Sequence, residues 1–207
     1  MSTVTAGPST SQEKRIGLMF ASTAIGGLAG GVGYLIAGYF YALFLFPFIL
    51  LAVAGIFYIP ALRFLGSSGK TINSLCGLVM GLALFSGFHY TEYLVFRSDI
   101  TGRIQAAASL DEASASRSLD AYLTEKTGLG GFLGFMNYQQ SQWRPYVYYF
   151  VKDGEISSSQ DLVLQGTKAW LYLAGEAAVL ISGGGLLGFL GTSRFPSEGK
   201  RQKAEPN

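Results

Sequence analysis

Residues that can carry chemistry are scarce in this chain. Its 207 residues include one cysteine, Cys76, and one histidine, His89, and Asp, Glu, Lys and Arg together make up 14%. One cysteine excludes an intramolecular disulfide and any cysteine-rich zinc or iron–sulfur motif. With a single histidine and no Gly-x-Ser-x-Gly turn, hydrolase-type nucleophilic catalysis has no support either. We therefore expect no catalytic residues and no metal site, and the sequence identifies no cofactor.

The Gly-Lys-Thr sequence within residues 64–75 lacks the spacing of a nucleotide-binding P-loop. That motif is Gly-x-x-x-x-Gly-Lys-[Ser/Thr], and this chain has Phe64 at the position of the first glycine. The preceding apolar run is also far too long for the strand that a P-loop follows. We expect a short basic connection here rather than a nucleotide site. The net charge of +2 is small, and we expect no nucleic-acid partner.

Charged residues and histidine are absent from the entire stretch between Arg15 and Arg63. As a helix this stretch covers about 70 Å at about 1.5 Å per residue, enough for two membrane crossings. Two later segments are nearly as apolar and are each about as long as one more span. The sequence therefore predicts four transmembrane helices, at residues 16–38, 41–62, 71–96 and 169–191.

Basic residues flank these spans unevenly. Lys14 and Arg15 precede the first span, Arg63 and Lys70 separate the second from the third, and more follow the fourth. Cytoplasmic flanks of membrane spans carry such an excess of Lys and Arg, so we expect both termini inside the cell. The bacterial inner membrane is the expected location. The expected parts are a disordered cytoplasmic lead at 1–15, helices 1–3 within 16–96, an extracytoplasmic segment at 97–168, helix 4 at 169–191 and a basic cytoplasmic tail at 192–207.

The extracytoplasmic segment has signals for both helices and strands. "SLDAYLTEKTG" predicts a helix with Ser118 as N-cap and Gly128 as its C-terminal stop. Phe132 and Phe135 are spaced for a second helix, lying at the membrane interface. "YVYYFVKDGE" and "ISSSQDLVLQ" are typical of two strands joined by a tight turn. The predicted fold class is an all-α membrane protein, a four-transmembrane-helix bundle with a small mixed α/β extracytoplasmic insertion between helices 3 and 4.

Glycines recur at four-residue spacing in the first and fourth predicted spans. Such spacing lets helix backbones approach closely within lipid. One interpretation is that helices 1 and 4 pack on each other inside the bundle. The alternative is a homo-oligomer seam or a docking face for a larger membrane complex. The residues are Gly26, Gly27, Gly30, Gly31, Gly184 and Gly188.

Ionisable residues inside spans are the strongest functional pointers, since a charge at mid-bilayer costs about 2.5–3.5 kcal/mol. His89 and Glu92 share one face of the third span, and Glu176 lies in the fourth. Measured from the flanking charges, His89 and Glu176 both lie about 12 Å below the outer surface. We therefore predict a His89–Glu176 pair with Glu92 nearby, and Tyr172 on the same face as Glu176.

Three interpretations of this cluster remain open. It is a hydrogen-bonded clasp between two helices, a proton or cation pathway, or a metal site with few ligands.

Three functions are correspondingly open. The first is a non-catalytic structural or accessory subunit that packs against other membrane subunits, or against itself, within the lipid bilayer. The second is a small transporter, channel or proton-linked membrane protein that uses the cluster. The third is an envelope sensor whose outer segment binds a ligand.

Overall fold

The computed structural model describes residues 9–40, 45–65, 69–142, 144–152, 155–164 and 166–193. Within this part of the chain, four helices are long and apolar enough to cross a membrane: α1, α2, α3 and α6. The elements are, in order, α1 Ser9–Phe40, α2 Phe46–Leu65, α3 Lys70–Ala108, α4 Glu112–Thr127, α5 Gly131–Gln142, β1 Arg144–Lys152, β2 Glu155–Leu164 and α6 Thr167–Ser193.

At two of the predicted boundaries, helix continues further than the apolar runs do. Residues 9–15 belong to α1 rather than to a disordered lead, since Gln, Glu, Lys and Arg at 12–15 are all good helix formers. The third helix does not end at residue 96 but runs on to Ala108. An exposed ion pair of 3.0 Å between Asp99 and Arg103, one turn apart, supports this extension. Residues 1–8 and 194–207, which include most of the predicted basic tail, lie outside the described part.

The centre of the bundle is α3, which packs extensively against both α1 and α6. Four of the predicted glycines, Gly26, Gly30, Gly184 and Gly188, face α3, and the prediction that the first and fourth spans pack on each other is wrong. The reason is that α3 has its own glycines, such as Gly77 and Gly81, one turn apart. These let a neighbouring backbone approach it on that face. α2 completes the bundle against α1 and α6.

The contact between α1 and α3 brings backbone against backbone. A Cβ atom added to Gly26 would overlap the carbonyl oxygen of Met80, and one added to Gly30 would overlap that of Leu84. Gly27 is on the same helix, yet a Cβ added there would have no atom within 4 Å. A side chain would therefore fit at Gly27 but not at Gly26 or Gly30 of the same helix.

The same arrangement joins α6 to α3. A Cβ added to Gly184 would overlap the carbonyl oxygen of Gly77, and one added to Gly188 would overlap that of Asn73. The carbonyl oxygen of Asn73 also accepts a hydrogen bond of 3.0 Å from the buried hydroxyl of Tyr58 on α2. Three helices thus meet at one end of α3.

Two helices pack on the second half of α3. Asp111 caps α4 by accepting a hydrogen bond of 2.6 Å from the backbone N–H of Ser114. Gly128 ends α4 in the left-handed conformation (φ 76°), as the sequence predicts. The prediction of Ser118 as the N-cap is wrong, because Asp111 takes that role one helix turn or more earlier and Ser118 lies within α4. α4 packs against both α3 and α5.

The two strands form an antiparallel ribbon, with Arg144 opposite Leu164 and Lys152 opposite Glu155. Asp153 and Gly154 of the predicted turn lie outside the described residues. The ribbon is paired internally, whereas the packing of the insertion on the bundle comes from helices α4 and α5. A mixed α/β insertion, with helices layered on a sheet, is therefore not supported. A ribbon of two strands is too small to provide such a layer.

Candidate functional site

His89 lies on α3, fully buried within the bundle. The rings of Phe85 and Phe88 meet its imidazole edge to face, with centroids 4.6 Å and 5.2 Å away. Phe85 is one turn before His89 and Phe88 is adjacent to it in sequence, so the aromatic packing follows from helical spacing. These rings fix the plane of the imidazole and exclude water from its faces.

One ring nitrogen of His89 faces Glu92 on the same helix. Nδ1 lies 3.1 Å from Oε2 of Glu92, a hydrogen-bond distance. Oε1 of Glu92 accepts a hydrogen bond of 3.0 Å from the amide of Gln139 on α5. The Glu92 side chain is 14% exposed, so this carboxylate is the least buried member of the cluster.

The other ring nitrogen of His89 faces Glu176 on α6. Nε2 lies 3.5 Å from Oε2 of Glu176, whose side chain is only 1% exposed. In the described part of the chain, neither carboxylate oxygen of Glu176 has a hydrogen-bond partner. The structure thus brings His89, Glu92 and Glu176 together, with the histidine between two carboxylates from different helices.

The arrangement of these groups restricts how protons are shared among them. A neutral imidazole donates through one nitrogen, whereas a protonated one donates through both. With His89 protonated and both carboxylates ionised, the cluster would carry one uncompensated negative charge in a buried place. An unpaired buried charge is costly, and the cluster is neutral only with one proton more, on a carboxylate.

Tyr172 and Glu176 line a groove of about 330 Å³ between α2 and α6. We call this the α2–α6 groove. Its walls include Pro47 and Phe48 from α2 and Leu171, Tyr172, Glu176 and Val179 from α6. The cluster therefore adjoins a groove on one side and the amide of Gln139 on the other.

The predicted glycines have different surroundings. Gly26, Gly30, Gly184 and Gly188 lie against the backbone of α3, as described above. A Cβ on Gly31 would lie 3.2 Å from the hydroxyl oxygen of Thr91. The backbone of Gly27 lies close to Gly87 of α3, because a Cβ added to Gly87 would contact it. A Cβ added to Gly27 itself would meet no atom within 4 Å.

Sequence reasoning missed the amide side chains of α5. Gln139 contacts the cluster, and Gln140 is buried beside it in sequence, with its backbone carbonyl accepting a hydrogen bond of 2.8 Å from the N–H of Gly166. The only signal is the polar run "YQQSQ" at the end of an otherwise apolar helix. Over the described ranges, no group of three or more His, Cys, Asp and Glu side chains has an arrangement that could hold a metal ion.

Four apolar helices of membrane-spanning length indicate a multi-pass membrane protein, here with an ionisable cluster between α3 and α6. Comparisons with protein families, with curated proteins and with solved structures gave no match to the chain.

Proposed function

We propose that this chain is a proton-linked membrane protein and that the His89–Glu92–Glu176 cluster is its working site. The observation that carries the proposal is the position of His89: fully buried, with each ring nitrogen directed at a carboxylate. Ionisable groups within membrane spans are rare and typically mark ion or proton routes.

The surroundings of the cluster give it two different sides. Glu92 is partly exposed and hydrogen-bonded to Gln139, which provides a route for protons from water. Glu176 adjoins the α2–α6 groove. Toward the start of α3 the buried core contains Met80, Leu84 and Leu180, together with the polar side chains of Tyr58, Cys76 and Ser22. The groove beside Glu176 favours proton-coupled binding or transport over an open channel.

Reconstituted vesicles test the proposal. We expect a pH gradient to drive a transient charge movement in vesicles containing the protein, and Glu176→Gln to abolish it. The matched control is Glu125→Gln, since the Glu125 side chain is 73% exposed on α4. A Glu176→Gln signal equal to that of the unchanged protein would contradict the proposal.

The same contacts would also serve as a clasp between α3 and α6, and this role is separable from proton exchange. A clasp alone predicts that Glu176→Gln lowers thermal stability while the unchanged protein itself shows no pH-driven charge movement. That combination of results would leave the cluster with a structural role only.

The second candidate is a structural or accessory subunit of a membrane complex. The β1–β2 ribbon favours it, because a two-stranded ribbon is marginally stable unless another surface covers it, and a partner subunit is one such surface. The glycine faces of α1 and α6 do not add support for this candidate, because they pack against α3 of the same chain. Purification in mild detergent with mass spectrometry tests it, and the absence of any stoichiometric partner would count against it.

The orientation with both termini in the cytoplasm of a bacterial cell is likewise proposed from the flanking Lys and Arg residues. After Cys76→Ser, single cysteines at Lys70 and Ser109 test it by labelling intact cells. Only the cysteine at Ser109 should react from outside, and the reverse pattern would overturn the orientation.

A further inference from the structure

We propose that the α2–α6 groove binds a membrane-soluble organic cation, with Glu176 as its counter-ion. This inference rests on the proposed function, since the cation would displace the proton held by the cluster. The argument depends on the accessibility of the groove, on its charge and on the proton balance of the cluster.

The groove opens on the apolar outer face of the bundle. Phe48 and Leu171, on its two walls, are 57% and 67% exposed, and in a membrane such side chains contact lipid. A molecule dissolved in the bilayer therefore reaches the groove without crossing the protein. Apart from Glu176, the groove walls offer Tyr172 as their polar side chain, so the ligand must be largely apolar itself.

The charge of the groove favours a cation. Glu176 is buried, lines the groove, and has no hydrogen bond to either carboxylate oxygen among the described residues. A carboxylate in such surroundings is stabilised by a positive charge close to it. Phe48 and Tyr172 add aromatic rings, whose faces attract cations. An anion would add to the negative charge of the carboxylates, and a neutral ligand would leave the proton of the cluster in place.

Groups that titrate near Glu176 come from two elements. His89 on α3 faces it directly, with Glu92 behind, and Tyr172 lies one turn away on α6. The α2 wall contributes Pro47 and Phe48, which do not titrate. The neutral cluster holds one proton on a carboxylate, as argued above. A monovalent cation that binds there restores neutrality only if that proton leaves, so one proton is released for each cation bound.

This exchange makes binding dependent on pH. Because the cation binds the deprotonated cluster, its affinity rises with pH wherever the unoccupied cluster holds the proton, by up to about tenfold per pH unit. The direction would be opposite for an anion bound to protonated His89.

Tetraphenylphosphonium is a suitable probe, and triphenylphosphine oxide is its uncharged counterpart. With the full-length protein in mild detergent, calorimetry in buffers of different ionisation enthalpy measures binding and proton release together. We expect the cation to bind with release of one proton and the neutral compound to bind at least about tenfold more weakly. Equal binding of the two compounds, or binding without proton release, would overturn the inference.

Two variants separate this inference from the proposed function. Glu176→Gln should weaken cation binding at least about tenfold, with Glu125→Gln as the control. Gly175→Leu should block the groove while keeping Glu176, since a Cβ at Gly175 meets no atom within 4 Å and the added side chain has room. Full cation binding by Gly175→Leu would overturn the inference. Absence of cation binding in the unchanged protein, with pH-driven charge movement intact, would also overturn it while leaving the proposed function standing.

Discussion

At the scale of single residues, the important feature is that the two ring nitrogens of one histidine face two carboxylates. Glu92 is three residues from His89 on the same helix, so helical geometry alone brings them together. Glu176 is on another helix; counting residues from the flanking charges predicted that it faces His89, and the two side chains lie 3.5 Å apart. This counting could not predict the contact of Gln139, because Gln139 belongs to α5, which is not one of the four long helices.

Asp111 provides a residue-scale test of pH dependence. Hydrogen bonds from Ser114, chiefly from its backbone N–H, lower the pKa of the Asp111 carboxyl. Stability from this cap is therefore present above the pKa of the unfolded chain, and is lost as the pH falls through the lower folded value. We expect the amide resonance of Ser114 to titrate with a midpoint below the ordinary range of an aspartate.

The control for this cap is Asp111→Asn, which keeps a good N-cap but removes the charge. In that variant the titration of the Ser114 resonance should vanish while α4 stays capped. A midpoint at or above the ordinary aspartate value in the unchanged protein would show that the cap does not form in solution.

At the scale of elements, α3 organises the molecule. The sequence shows glycines at four-residue spacing in three of the spans, and this pattern predicts close helix packing. It does not say which helix packs on which, since glycines have no side chain whose chemistry selects a partner. For the same reason the pairing of helices 1 and 4 was wrong, while the existence of all four long helices was predictable from their apolar lengths.

Adjacent glycines of α1 test this packing. Gly26→Ala places a methyl group against the carbonyl oxygen of Met80. A side chain could avoid such an overlap by changing rotamer, but this backbone atom cannot. Overpacking of this kind costs typically about 1–3 kcal/mol. We expect a lower thermal unfolding temperature in detergent for Gly26→Ala.

The matched variant is Gly27→Ala, on the next residue of the same helix. No atom lies within 4 Å of its added Cβ, so it should unfold at or above the temperature of the unchanged protein. Equal destabilisation by both substitutions would mean that α1 does not meet α3 through this face.

Helix ends were less predictable than helix centres. No apolar run predicts the extension of α3 to Ala108. Local ion pairing supports it instead, and so does α4, where Ser116 accepts a hydrogen bond from Arg97. Asp111 and Ser118 are both good N-cap residues. The choice between them depends on where α3 ends, and the end of α3 is determined by tertiary packing rather than by the local sequence.

At the scale of the whole molecule, α3 is much longer than a bilayer is thick. Its 39 residues extend about 58 Å at about 1.5 Å per residue, against about 30 Å of hydrocarbon. One part of α3 therefore lies within the membrane and the rest stands outside it as the support for α4. His89 lies at the middle of α3, one turn before Tyr93, whose ring packs against that of Phe135 with centroids 5.5 Å apart.

The central claim is that this cluster holds an exchangeable proton, and infrared spectroscopy of the full-length protein in lipid tests it most directly. The account predicts a band from a protonated carboxyl group that is present in the unchanged protein and in Glu125→Gln, disappears as the pH rises, and is lost in Glu176→Gln. The same band with the same titration in Glu176→Gln, or its absence from the unchanged protein, would contradict the account.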